Sequence, residues 1–326
     1  MRRWFGVDIG GSSIKFGMFD EDGALLQKWT VPTDLTEGGR HIIPQAAAQI
    51  RQCLERAGLP PAAAAGVGLG IPGPVDAAGH VARCVNLHWA DISPAAEMQR
   101  FFPQARTAAE NDGNVAALGE YWRGAGAGTS CMLMITLGTG VGAGLVLGGR
   151  LVTGAHGLAG EIGHVVVRPE ETRACSCGNH GCLNQYATIS GIISCARTLL
   201  ETTETPSRLR EGAELTAKYV CDCAGAGDAL ALRCIDACME PLGKVMTFCS
   251  HAFDPEVFVL GGGLAGAGEV LLAPLRRYYA AGFYVTHDMA EIVQARLGND
   301  AGIHGACMLA MQAEGRRFCR AEDDGL

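Results

Sequence analysis

The stretch CMLMITLGTGVGAGLVLGGR, residues 131–150, decides how the rest of the chain is read. An apolar run ends at Leu137. Gly138, Gly140, Gly142 and Gly144 follow at every second position, then a second apolar run, then Gly148 and Gly149. This order predicts a strand, a tight glycine-rich turn, a second strand and a second turn. Glycines so spaced free the backbone to aim several N–H groups at one anion. Alone, the stretch suits a phosphate cradle and a hairpin packed through small residues equally well. A second copy tips the balance. Trp4 to Ile9 is apolar, Gly10, Gly11, Ser12 and Ser13 follow, then IKFGMFD, an Asp-Gly turn and ALLQKW. The same grammar returns after roughly 130 residues, which predicts two similar halves facing each other across a cleft.

The 326 residues allow one large domain or two ordinary ones, and 48% apolar against 18% charged content supplies ample cores. Net charge is -8, and the basic residues cluster only at Arg2–Arg3 and Arg316–Arg317, which argues against a dedicated nucleic-acid surface. Nucleotide binding is compatible with that balance, because backbone N–H groups and a metal ion can hold phosphate without net positive charge. No apolar run reaches membrane-spanning length without polar breaks, and the N-terminus has no signal-peptide core. The expectation is a cytoplasmic protein with reduced thiols, despite 14 cysteines. Nine of these stand singly, mostly in apolar patterns: Cys53, Cys84, Cys131, Cys195, Cys234, Cys238, Cys249, Cys307 and Cys319.

Along the chain, Ile43, Ala47, Ile50, Leu54 and Ala57 predict a helix stopped by Gly58. GVGLGIPGPVD predicts a buried strand followed by a rigid loop at Pro72-Gly73-Pro74. NLHWADI, with Asn86, has the mixed composition of a ligand-facing or ordinary surface loop. In TAAENDGNVAALGEYW, Val115, Leu118 and Trp122 mark a helix, and Asp112 in isolation reads as its N-terminal cap. Its position before the second glycine unit also suits a cleft. GLAGEIGH places Glu161 and His164 three apart, shortly before Cys175-Ser-Cys177-Gly-Asn-His-Gly-Cys182. Three cysteines so close can fold around one zinc, with His164 or His180 as the nitrogen ligand and the protein filling all four positions. Helices are expected from Tyr186 onward, with Pro241 kinking or restarting the longest. Val257 to Leu260 predicts a strand, and Gly261, Gly262 and Gly263 open a helix at its end, a nucleotide-type turn. A small-residue helix follows in NDAGIHGACMLAMQ.

DIGGSSIK, AENDGN, LGTGVGAGLV with GLAGEIGH, CSCGNHGC and LGGG stand in the order found in the ROK sugar kinases, of the actin-like ATPase superfamily. The chain resembles that family over nearly its whole length. The resemblance implies an α/β protein of two RNase H-like domains flanking an ATP and sugar cleft. The smaller would be 1–115 plus 304–326, and the larger 116–303, with a zinc loop at 164–182. It implies Asp8, Gly10, Gly11, Ser12 and Lys15 as one phosphate loop and Gly138, Thr139, Gly140 and Gly142 as the other, with Gly261, Gly262 and Gly263 near adenosine. Asp112 would be the catalytic base. Gly73, Asn86, Asn111, Asp112, Glu161, His164 and Asn184 would face the sugar, and His164, Cys175, Cys177 and Cys182 would hold structural zinc. ATP and Mg²⁺ complete the expectation, with phosphorylation of a hexose 6-hydroxyl, glucose by default. N-acetylmannosamine, N-acetylglucosamine, allose and a β-glucoside are alternative substrates. A sugar-sensing repressor is disfavoured because the first strand begins at Trp4, leaving no room for a helix-turn-helix, and a non-catalytic scaffold because Asp112 is retained. The family's members often form homodimers or homotetramers, and neither nucleic acid nor membrane is an expected partner. One position departs from the family: Asn184 stands where a sugar-contacting Glu is usual. An amide donates as well as accepts, so the hydroxyl pattern read there differs.

Overall fold

The computed structural model describes residues 1–211, 214–283 and 289–318. The end of the expected 304–326 segment (319–326, with Cys319) and Ala213, in the stretch after Tyr186 where helices are expected, lie outside the described residues. In chain order the strands are β1 Arg3–Ile9, β2 Ser13–Phe19, β3 Leu25–Pro32, β4 Ala64–Ile71, β5 Val81–Cys84, β6 Trp89–Ile92, β7 Arg106–Asn111, β8 Cys131–Leu137, β9 Val141–Leu147, β10 Arg150–Val152, β11 Val257–Gly261 and β12 Glu291–Gln294. The helices are α1 Ile42–Arg56, α2 Pro94–Phe101, α3 Asp112–Arg123, α4 Ile189–Thr202, α5 Ala217–Gly225, α6 Ala229–Phe253, α7 Glu269–Ala281 and α8 Ala301–Ala313. The chain divides into two compact units: Met1–Ser130 with Gly144–Ala159 and Arg296–Leu326, and Cys131–Ala143 with Gly160–Ala295. The limits expected at 115/116 and 303/304 fall inside α3 and α8, which pack on each other within the first unit.

The first unit is built on a sheet of order β3-β2-β1-β4-β7. β1 and β2 run antiparallel in strict register from Trp4 opposite Phe19 to Ile9 opposite Ile14. β4 adds parallel to β1, and β7 parallel to β4. The alternation read in the sequence sends Phe5, Val7, Ile9, Val67 and Leu69 into a core completed by Ile43, Ala47, Ile50 and Leu54 of α1. α8 covers the sheet's other face with Ile303, Cys307, Ala310 and Met311, packed against Trp4 and Phe19. Glycine permits that close approach. A Cβ on Gly68 would stand 1.7 Å from the Ala306 carbonyl oxygen, and one on Gly305 1.6 Å from that of Val115. Since backbone rather than a flexible side chain would have to yield, Gly305→Ala lowers unfolding free energy by about 3 kcal/mol or more. Denaturant titration checks this, and a loss under about 1 kcal/mol would show that α8 can shift freely.

The second unit repeats the start of that plan. β8 leads through a glycine turn into the first residues of β9, and β11 and β12 add to β8 in parallel succession. Helices α4 to α7 supply its remaining layer, with α6 against α4, α5 and α7. α6 runs through Pro241 as one helix, so of the kink or restart expected there the restart does not occur. Pro241 and its helix neighbours Met239, Leu242 and Val245 are all buried, and helices of this kind are held by tertiary packing more than by propensity. The glycines at the end of β11 do not open α7 directly: Gly261 closes the strand, and a 3-10 turn, Gly263–Ala267, intervenes. Among the described residues, no helix is long and apolar enough to cross a membrane.

Candidate active site

In the first unit, the turn between β1 and β2 is closed by the Gly10 N–H donating to Ser13 O at 2.9 Å, and Thr33 Oγ1 donates to Gly10 O at 2.6 Å. At the turn's base Lys15 Nζ meets Asp8 Oδ2 at 3.0 Å, so Asp8 and Lys15, opposite each other in register, form one ion pair. Asn86 lies against the same turn: a Cβ on Gly11 would stand 3.2 Å from its carbonyl oxygen. Ser12 is exposed there.

The end of β7 and start of α3 bring in Asn111 and Asp112. The cap expected of Asp112 belongs instead to Asn111, whose Oδ1 accepts from Gly113 N at 2.9 Å and Asn114 N at 3.2 Å. Its Nδ2 donates to Gly73 O at 3.0 Å, which fastens the Pro72–Pro74 loop to the helix start. Capping by the neighbour leaves Asp112 as the first helical residue, and its Oδ1 accepts the Gly113 N–H at 2.8 Å. Asp112 is exposed as a residue, yet protein surrounds most of its carboxyl. Burial raises its pKa above the ordinary carboxylate value, Gly113 N–H and Lys15 oppose the rise, and Asp8 reinforces it.

A residue that pattern reading passed over, Glu110, supports this corner. It accepts from Asn111 N at 2.8 Å and Asn114 Nδ2 at 3.1 Å, and burial pushes its carboxyl up. Its sequence signal is weak, because a Glu at a strand's end is ordinary.

In the second unit, the β8–β9 turn is held from three sides. Gly138 N donates to Gly140 O at 3.0 Å, Gly138 O accepts from Ile189 N at the start of α4 at 2.9 Å, and Val141 N donates to Asn184 Oδ1 at 2.7 Å. Thr136 Oγ1 reaches Gly142 O at 3.4 Å. Gly262 takes φ +83°, and a Cβ there would stand 2.3 Å from Leu137 O, so the β11 glycines lie against the start of the turn. Thr139 and Gly140 are at the surface of the turn and Gly263 is exposed. Asn184 is therefore a brace of the turn as well as a candidate sugar contact. Thr188, which sequence reading missed, locks it by donating to its carbonyl at 2.8 Å while capping α4 through Gly191 N.

Glu161 precedes a short turn, Ile162–His164, and its Oε2 lies 3.9 Å from His164 Nε2. The other ring nitrogen, His164 Nδ1, is buried and has no hydrogen-bond partner among the described residues. The ligand atoms of His164, Cys175, Cys177 and Cys182 all lie within 4.8 Å of one another. Tetrahedral zinc with Zn–S of ~2.3 Å sets sulfurs about 3.8 Å apart, and Cys177 Sγ and Cys182 Sγ stand 3.7 Å apart. The orphaned nitrogen and the sulfur spacing both fit a zinc ion, and His180 is not in the group.

The ROK family model matches residues 4–313. The chain is 39% identical over 319 residues to a glucokinase of Halalkalibacterium halodurans, covering 96% of both chains. It is 34% identical to a glucokinase of Thermotoga maritima, covering 95% of this chain and 98% of that one. Among solved structures it is similar to a ROK family glucokinase from Streptomyces griseus in complex with glucose and AMPPNP, at 32% identity and a TM-score of 0.72, covering 95% of this chain and 99% of that one.

Proposed function

The chain belongs to the ROK family, and on that premise we propose that it is an ATP-dependent hexose kinase that phosphorylates the 6-hydroxyl of glucose. The observation that carries this reading is the placement of Asp112. Asn111 takes over the helix cap, so the Asp112 carboxylate is free to accept a proton. Phosphoryl transfer depends on positioning and charge neutralisation more than on covalent chemistry. Asp112 accepts the proton of the attacking hydroxyl, and its raised pKa improves it as a base. The turn at Gly10–Lys15 and the turn at Gly138–Gly142 present N–H groups to phosphate oxygens, and Gly261–Gly263 border the adenosine. Mg²⁺ would supply neutralisation of the phosphate charge, and Asp8, a carboxylate of hard oxygens, is the residue suited to hold it. Gly73, Asn86, Asn111, Glu161, His164 and Asn184 contact the sugar hydroxyls, so that a wrong epimer leaves buried polar groups unpaired. His164, Cys175, Cys177 and Cys182 hold a structural zinc that fixes the loop bearing Asn184. The protein works in the cytoplasm, where its thiols stay reduced.

A coupled ADP-release assay across hexoses and N-acetylated hexosamines tests the reading. Glucose is expected to give the highest kcat/KM, and Asn184→Glu to change the ranking at the anomeric end. Absence of sugar-dependent ADP release for every sugar would sink the kinase reading. An unchanged ranking in Asn184→Glu would remove Asn184 from specificity while leaving the reaction in place.

A further inference from the structure

Three thiols that the proposed chemistry does not use meet inside the second unit. Cys195 lies on α4, and Cys234 and Cys238 stand four apart on α6, on one face of that helix. The three Sγ atoms lie within 4.8 Å of one another. Cys234 and Cys238 are buried, while Cys195 is part-exposed and gives the cluster an entrance. Among the described residues, no imidazole or carboxylate joins the group. Four-coordinate zinc would lack its fourth ligand, and a hard cation would find no carboxylate. Three sulfurs at a bond length of ~2.3 Å around one centre stand about 4 Å apart in a plane and closer in a pyramid, so the thiols draw together to close the site.

Charge selects the ligand. Three thiolates leave a dianion on a monovalent centre, a monoanion on a divalent one and no net charge on a trivalent one. Uncompensated charge is costly in a buried site. We propose that Cys195, Cys234 and Cys238 form a trithiol site for one trivalent thiophilic metalloid of the arsenite class, separate from the Cys3His tetrad.

Access sets the order. Cys195 Sγ donates to Cys234 O at 3.8 Å, and Cys234 Sγ to Ile192 O at 3.4 Å. Cys195, the part-exposed member, attacks As(OH)3 first as its thiolate, and the two thiols follow. Three S–As bonds form and three As–O bonds break. The three oxygens leave as water, taking protons from Cys234, Cys238 and, for the Cys195 step, from solvent. Arsenic stays trivalent and no electrons are transferred. The product fastens α4 to α6, and α4 is the helix whose first N–H holds Gly138 O in the phosphate turn.

The test is titration of the zinc-loaded full chain with sodium arsenite, counting arsenic and zinc per chain and measuring the mass of the native protein. The native chain is expected to take up one arsenic, with a mass gain of one arsenic less three hydrogens and no loss of zinc. Cys195→Ser, at the part-exposed member and so the variant least demanding on folding, is expected to weaken uptake at least tenfold. Cys131→Ser, outside both clusters, binds as the native chain does. If the tetrad carries no zinc, its thiols also react, and the measure becomes the difference of one arsenic between the native chain and Cys195→Ser. Equal uptake by those two proteins, zinc released one for one with arsenic bound, or no uptake at all would overturn the proposal.

Discussion

Asp112→Asn is expected to lower kcat by about 10²- to 10⁴-fold, the range that general-base catalysis contributes, while the sugar Kd stays within about threefold of the native value. The amide keeps an oxygen that can accept the Gly113 N–H, which the carboxylate now accepts at 2.8 Å. Asn111 retains the cap, so α3 begins where it did. What disappears is the basicity that takes the hydroxyl proton, because an amide oxygen is a far weaker base. Isothermal titration with glucose and steady-state kinetics separate the two effects. Turnover within tenfold of native would remove Asp112 from the base role, and lost sugar binding with lost turnover would make it a binding residue. The pH profile gives a second reading. The base must be ionised in the free enzyme, so kcat/KM falls as pH drops through the Asp112 pKa. Burial raises that pKa, which places the acid limb above the ordinary Asp value of ~3.9. Asp112→Asn abolishes that limb in the residual activity.

Sequence alone made the two glycine turns legible because their signals are local: an apolar run, glycines at fixed spacing, then another run. The buried face of α1 was legible for the same reason, through Ile43, Ala47, Ile50 and Leu54. The tetrad was visible because three of its four ligands lie within eight residues. The cap at α3 was misassigned because Asn111 and Asp112 are both good capping residues and adjacent; only the backbone geometry shows which side chain turns back on the helix. Asn184 could be flagged as unusual, but its bond to Val141 spans 43 positions and follows from how the chain after Cys182 folds back on the turn. Cys195 and Cys234 are separated still less visibly. Each stands in a helical apolar pattern, where a cysteine reads as a small core residue, and only the packing of α4 on α6 brings them together. Glu110 belongs to the same class, since its partners are assigned by the strand-to-helix turn rather than by its own spacing.

Removal of zinc is expected to have the next largest effect. Cys182 is wholly buried and lies two residues before Asn184, whose Oδ1 holds the Val141 N–H of the phosphate turn. Cys182→Ser replaces a thiolate ligand with a hydroxyl that does not serve zinc, leaving three ligands and a buried polar group. Zinc content is expected to fall from about one per chain to a small fraction of that. Without the ion, His164 Nδ1 stays buried and unpaired, which costs about 1–3 kcal/mol. A loss of about 2 kcal/mol shifts Tm downward by roughly 4–8 °C for units of this size. Because the loop positions Asn184, and through it the turn at Gly138–Gly142, kcat/KM for glucose should fall more than tenfold. Zinc binding requires ionised thiols and a neutral imidazole. The sign follows: protons compete with the ion, so zinc is retained at neutral pH and released as the solution is acidified. Metal analysis of dialysed protein at several pH values, beside thermal melts of native and Cys182→Ser chains, measures all of this. Chelator-washed native protein that holds no zinc yet keeps its Tm and its kcat/KM would show that His164 and the three cysteines meet without an ion, and the coupling from the loop to the phosphate turn would then rest on the Asn184–Val141 bond alone.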